Sequence, residues 1–133
     1  MDEAGTPPTD GQGPHDMDLF DTTQIALERA MTGTSARQAQ LAENLANANT
    51  PGYQRRDVDF QTALRAAVAQ GKGAVERSEL RTVVDASAPL RVDGSNVDVE
   101  REGAALARAG LEHDALVSVL SARSTILRAA IGI

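Results

Sequence analysis

Few residues in this chain are of types that do chemistry, and their spacing decides what they can do. His15 and His113 are the only two histidines, and they lie 98 positions apart. There is no cysteine, which removes disulfides and thiolate metal sites. Asp57-Val58-Asp59 resembles an acidic metal pair, but on a strand the two carboxylates share a face with no third ligand in reach. A solvated or arginine-paired edge is the better reading there. The stretch DGSNVDVE, residues 93–100, has Gly at the second position and not the sixth, so it does not form a calcium loop. Gly71-Lys72-Gly73 is too short for a phosphate loop, which needs GxxxxGK[ST]. No Ser or Thr has a histidine partner at a telling distance. The chain therefore reads as a non-enzyme, with no catalytic residues, no cofactor and no metal.

The elements that would position any site are more informative. The 133 residues allow one domain and a tail. Apolar residues make up 41% but aromatics only 2%, so large rings cannot anchor a dense core. A net charge of −6 argues against nucleic acid as a partner. No apolar run is long enough to span a membrane. The start of the chain lacks the basic-then-apolar pattern of a cleaved secretory signal. Residues 1–16 are rich in Gly, Pro and Asp and read as a disordered tail, with Met17 as an alternative start.

Residues 17–50 predict a helix. Spacings of three and four place Met17, Phe20, Leu27, Met31, Leu41 and Leu45 on one seam, with polar interruptions. Thr32-Gly33-Thr34-Ser35 is poor in helix formers, and a bend or break is expected there. The helix stops at a defined place. Pro51 pushes Thr50 toward an extended conformation, and Pro51-Gly52 suits the centre of a type II turn. Asn47 and Asn49 can bond the last free carbonyls or adopt the left-handed conformation.

Residues 51–95 read as a turn and then an extended segment with Val58 and Phe60 on one face. A short helix should follow, with Phe60, Leu64, Ala67 and Val68 inward. Gly71–Gly73 is expected to open a flexible stretch, Val83-Val84 and Leu90–Val92 are strand candidates, and Asp93-Gly94 is a turn. Residues 96–133 predict the last helix. Ser95-Asn96-Val97-Asp98 matches the Ser-x-x-acid pattern of a helix start, with Asp98, Glu100 and Glu102 at the end that favours anions. A second seam runs through Val99, Gly103, Leu106, Gly110, His113, Val117, Leu120, Ser124, Leu127 and Ile131. His113, at a seam position, reads as an interface residue. The fold class is mainly α, with long N- and C-terminal helices paired as a coiled-coil-like unit and a small, partly β middle segment.

Helices of ~32 and ~36 residues are about 48 and 54 Å long, against about 36 Å for the diameter of a compact globule of this length. An elongated molecule is expected. Its seams offer little burial against the entropy of ordering such long ends, so the terminal helices should need partner molecules to become fully ordered.

The stretch NLANANTPGY (Asn44 to Tyr53), with a helix before it and RRDVDF (Arg55 to Phe60) after it, resembles the signature of the flagellar rod and hook protein family. Together with NVDVERE near the last helix, and in so short a chain, it looks most like the proximal-rod members. The resemblance covers about residues 18–133. By position, Asn47, Asn49, Thr50, Pro51, Gly52 and Tyr53 match the family turn. Asp57, Asp59 and Phe60 match the segment after it, and Asn96, Val97, Asp98 and Glu100 match the start of the C-terminal helix. The resemblance implies a structural subunit that self-assembles through its terminal helices and transmits torque. The assembly seam would comprise Leu27, Met31, Leu41 and Leu45 with Leu106, Val117, Leu120, Leu127 and Ile131. It also implies export through the flagellar type III apparatus without a cleaved signal, and a place in the periplasmic rod of the basal body. The implied partners are other copies of itself, other rod proteins, and the adaptor FliE with the membrane ring at the rod base. Two departures stand out: the acidic front of sixteen residues, and His113 where related helices carry an aromatic. A small helical adaptor or export chaperone of a secretion system is the alternative from a different class.

Overall fold

Two helices at the chain's ends dominate a computed structural model that describes residues 15–133, with side chains described from residue 21 onward. Helix α1 spans His15–Ala46 and α4 spans Val99–Ile131. Between them come β1 (Arg56–Asp59), α2 (Gln61–Gln70), α3 (Lys72–Glu76) and β2 (Arg81–Val84). The fold is mainly α. Contacts such as Asn44 with Glu102 and Ser35 with His113 show that α1 and α4 run antiparallel. At 32 and 33 residues they are about 48 and 50 Å long. The expected tail lies outside the described residues up to Pro14, and helix begins at His15, two positions inside the segment read as tail. The side chains of His15, Met17 and Phe20 also lie outside the described set.

No break occurs at Thr32–Ser35. The Thr32 and Thr34 hydroxyls donate to the carbonyls of Glu28 and Ala30, at 3.0 and 2.8 Å, so both polar groups are satisfied inside the helix. Gly33 is there for packing: a Cβ on it would overlap the ring of Phe60. Helix α1 stops at Ala46, three to four residues earlier than its pattern suggests. The Thr50–Tyr53 turn follows, closed by Tyr53 N–H donating to the Thr50 carbonyl at 3.1 Å, with Gly52 at φ 75°.

Strands β1 and β2 pair antiparallel, from Arg56 opposite Val84 to Asp59 opposite Arg81. Val58 and Phe60 turn inward beneath α1. Three expectations for the middle region do not hold. Gly71–Gly73 does not open a flexible stretch, because Gly71, at φ 98°, redirects the chain into α3, which the fully buried Val75 anchors. Leu90–Val92 is not a strand. Its residues are exposed, and Arg91 N–H donates to the Ser95 carbonyl across the turn at Asp93-Gly94. Val68 points largely outward, while Ala67 takes the buried position.

Helix α4 begins later than Ser95. Asp98 is its cap, accepting from the backbone N–H groups of Glu100 and Arg101 at 3.0 and 3.1 Å. Ser95 is instead buried against α1, where its hydroxyl donates to the Ala48 carbonyl at 3.3 Å. The face that α4 turns to α1 is offset from the expected seam. Glu102 and Ala109 are buried and Leu116 is half-buried, whereas Val99, Gly103, Val117, Ser124, Leu127 and Ile131 are exposed. The core, built on Leu41, Val58, Phe60, Val75, Val97 and Ala109, extends from the place where α1 ends and α4 begins to the middle of α1, where Phe60 lies under Gly33. Beyond Ala109, no residue of α4 is buried.

Candidate functional site

The joint where α1 hands over to the middle region and α4 starts is built from polar groups. Arg55, immediately before β1, is 5% exposed and spends its whole guanidinium on acids. Its Nε donates to Glu102 of α4, Nη1 to Asp85 at 2.8 Å and Nη2 to Asp57 at 3.2 Å. Arg37 of α1 takes the other side of Asp57 with a two-pronged contact at 2.9 and 3.1 Å. Two guanidinium groups thus meet three carboxylates supplied by α4, β1 and the end of β2.

Asn44, fully buried on α1, completes the joint. Its amide donates to the Arg56 carbonyl at 2.6 Å and to Glu102 at 2.9 Å. Its side-chain oxygen accepts from the Tyr53 hydroxyl at 3.0 Å and the Arg56 N–H at 3.1 Å. Asn96 does the same work on the other side, accepting from the Arg55 N–H at 2.6 Å and donating to the Asp85 carbonyl at 2.7 Å. Gly52 N–H reaches the Asp93 carbonyl at 2.8 Å, so the two turns also touch through backbone. Gly94, at φ 80°, lies so close to Gly52 that a Cβ would sit 3.3 Å from its Cα.

The electrostatics follow from this geometry. Burial disfavours a charge on Arg55, but the Glu102 carboxylate outweighs it and raises the guanidinium above its usual pKa. Burial works against Asp57 too, and the Arg37 hydrogen bonds overcome it and hold the carboxyl below the usual range. Asp85 is lowered chiefly by the hydroxyl and N–H of Ser87. The Tyr53 hydroxyl is raised by burial. All three acids and both arginines are therefore tied up by one another, which is the chemistry of a fixed joint and not of a reaction centre. Among the described residues there is no cluster of His, Asp and Glu able to hold a metal ion.

The sequence-derived positions fall in and around this joint. Asn47 donates to the Glu43 carbonyl at 2.9 Å and accepts from Thr50, while Asn49 and Pro51 are exposed. No residue other than glycine has positive φ among those described, so neither asparagine uses the left-handed conformation. Tyr53, Asp57 and Asn96 enter the network directly. Phe60 lies under Gly33, Val97 is buried, and Asp98 caps α4, while Asp59 and Glu100 are exposed. Of the seam residues, Leu41 is fully buried, and Leu27, Met31, Leu45, Leu106 and Leu120 are half-buried. Val117, Leu127 and Ile131 are exposed. His113 is half-buried, its Nδ1 3.5 Å from the Ser35 hydroxyl. Sequence reasoning missed Asn44, Arg55, Glu102, Arg37 and Asp85. The available signal was that Asn44, Arg55 and Glu102 stand inside the very stretches NLANANTPGY, RRDVDF and NVDVERE.

A family profile described as "Flagella basal body rod protein" matches residues 26–54, from α1 through the turn. The chain is also similar over most of its length to proteins named flagellar basal body rod protein FlgB. The Aeromonas hydrophila protein is 32% identical, the match covering 83% of this chain and 93% of that one. For Escherichia coli K12 the identity is 29%, covering 79% and 89%. For Salmonella typhimurium it is 27%, covering 80% and 91%.

Proposed function

The chain belongs to the family of flagellar basal body rod protein FlgB, and we propose that it builds its part of the rod through its two terminal helices. It is a structural subunit of the flagellar basal body. In this reading residues 17–50 and 96–133 form the rod core unit and residues 51–95 a lobe outside it. Torque passes from copy to copy through repeated helix contacts. The subunit is exported by the flagellar type III apparatus without a cleaved signal and assembles in the periplasm. Its neighbours are further copies of itself, other rod proteins, and FliE with the membrane ring at the rod base.

One observation carries the reading. The distal half of α4 has no buried residue and exposes large apolar side chains, with Ile126 68% and Ile131 70% accessible. A monomeric protein does not keep such a surface open along half a long helix without a use for it. Burying each isoleucine stabilises association by about 1.5–3 kcal/mol, so losing both weakens it by roughly a hundredfold to ten-thousandfold. The Ile126→Asp/Ile131→Asp variant should retain the distant Arg55–Glu102 joint but disappear from isolated basal bodies, leaving cells non-swimming. Normal incorporation and swimming would refute assembly through the terminal helices.

A further inference from the structure

A long groove runs beside α4 on the side where α2 packs, and none of the described residues fills it. Its apolar half, about 530 Å³, has a floor of Ala26 and Ala30 from α1 and Ala115 from α4. Its walls are Leu64 and Val68 of α2 and Val119 of α4, the last two 43% and 50% exposed. Toward the start of α4 the groove continues as a cleft of about 600 Å³ lined by Arg37, Arg101 and Arg108 over Ala104 and Ala105. Glu112 lines both parts and marks where they meet. The groove is therefore basic at one end, apolar along the rest, and floored by alanines that admit a helix at close range.

The opposite side of α4 has the matching character. At 100° per residue, Val99, Gly103, Leu106, Gly110, Val117 and Ser124 form one stripe, turned away from the stripe of Arg108, Ala115 and Val119 that borders the groove. This is the seam legible in the sequence, and contact with α1 uses only part of it: Val99 and Val117 stay exposed. Its small residues leave hollows for Leu64, Val68 and Val119. Asp98 and Glu100, both exposed, stand at its start.

We propose that the groove receives the Val99–Val117 side of α4 from a second copy of this chain, laid parallel, with that copy's Asp98 and Glu100 against Arg101 and Arg108. Parallel placement sets acids on arginines and the apolar stripe on the apolar half at the same time. An antiparallel helix would set the acids on Leu64 and Val68. Because the two contact surfaces differ, the contact is head-to-tail and repeats from copy to copy, as a rod requires, and does not close as a twofold dimer. The proposal rests on the rod-subunit reading and names the partner of one of its faces.

The absence of cysteine makes the test direct. Cells producing only the Gly110→Cys/Ala115→Cys chain are treated with a short thiol cross-linker, and isolated basal bodies are examined, since setting Asp98 and Glu100 of one copy on Arg101 and Arg108 of the next brings the first copy's position 110 opposite Ala115 of the second. A ladder of dimers and higher multiples is expected from the double variant, and no cross-linked product from either single variant. A dimer from a single variant, no ladder from an incorporated double variant, or cross-linking only to another rod protein would each overturn the proposal while leaving the rod-subunit reading standing. Charge exchange gives a second measurement without cysteines. Arg108→Glu should reduce incorporation, and Arg108→Glu with Glu100→Arg should restore it. Undiminished incorporation of Arg108→Glu, or no recovery in the pair, would also overturn the proposal. Wild-type chain missing from basal bodies would instead remove the rod-subunit reading beneath it.

Discussion

Arg55 and Glu102 show how much of this molecule rests on single side chains. Taking one partner from a buried ion pair leaves the other desolvated and unpaired, at a cost of about 3–5 kcal/mol. Glu102→Ala also strips Asn44 of one of its hydrogen bonds, so it should lower the urea midpoint far more than Glu100→Ala, which removes an exposed acid. Similar midpoints would mean that the joint contributes little. The joint also sets the acid limit. Asp57 and Asp85 have folded pKa values below the ordinary one, so their contribution is fully present above about pH 4 and is lost as pH falls through the lowered values. Arg37→Met removes the main force lowering Asp57, and acid unfolding followed by circular dichroism should then begin at higher pH. An unchanged acid midpoint would show that Asp57 does not depend on Arg37. These roles were only half legible beforehand. Arg55 and Glu102 were visible as charges in short motifs, but their pairing depends on α1 and α4 crossing at one place. A linear pattern does not contain that crossing. Glu102 looked like an acid at a helix start, and it is instead the first residue of α4 to turn inward.

At the scale of elements, long periodic segments were legible and local exceptions were not. Both terminal helices follow from three-and-four spacing, and the turn at Thr50–Tyr53 follows from Pro and Gly chemistry. The weak helix formers at Thr32–Ser35 misled because propensity was read without a partner: the glycine is a seat for Phe60, 27 residues away. That yields a prediction whose sign is not obvious. Alanine is the better helix former at position 33 by about 1 kcal/mol. Against this, Phe60 is 5% exposed and its ring must move to admit the methyl group, and overpacking of this kind costs about 1–3 kcal/mol. Gly33→Ala should therefore destabilise the protein in urea titration, and Gly33→Ala with Phe60→Leu should be more stable than the two single effects added together. Strict additivity of the two substitutions would mean that Gly33 and Phe60 do not press on each other. Leu90–Val92 failed for a related reason: apolar composition suits a strand, but Arg91 spends its N–H on the Ser95 carbonyl across the Asp93-Gly94 turn, and the chain there turns back to begin α4.

For the whole molecule, stability is distributed unevenly, and this bears on how a rod subunit can travel alone and then become rigid. The joint and the middle of α1 beside it gather the core, the ion network and the paired turns. The far half of α4 offers only half-buried or exposed residues to its partner helix. Local opening free energies follow such differences in burial. In the isolated chain at micromolar concentration, amide exchange should be slowest for Leu41 to Asn44, Val58, and Glu102 to Ala109. It should be fast from about Val117 onward and at the start of α1. In assembled basal bodies the same distal amides should become protected, because neighbouring copies supply the burial the monomer lacks. A stably protected α4 along its full length in the isolated chain, especially in a compact dimer, would favour an adaptor or chaperone that folds before it meets a partner. The contrast between the two ends of one helix is therefore the quantity to measure, since a rod subunit needs it and a preformed adaptor does not.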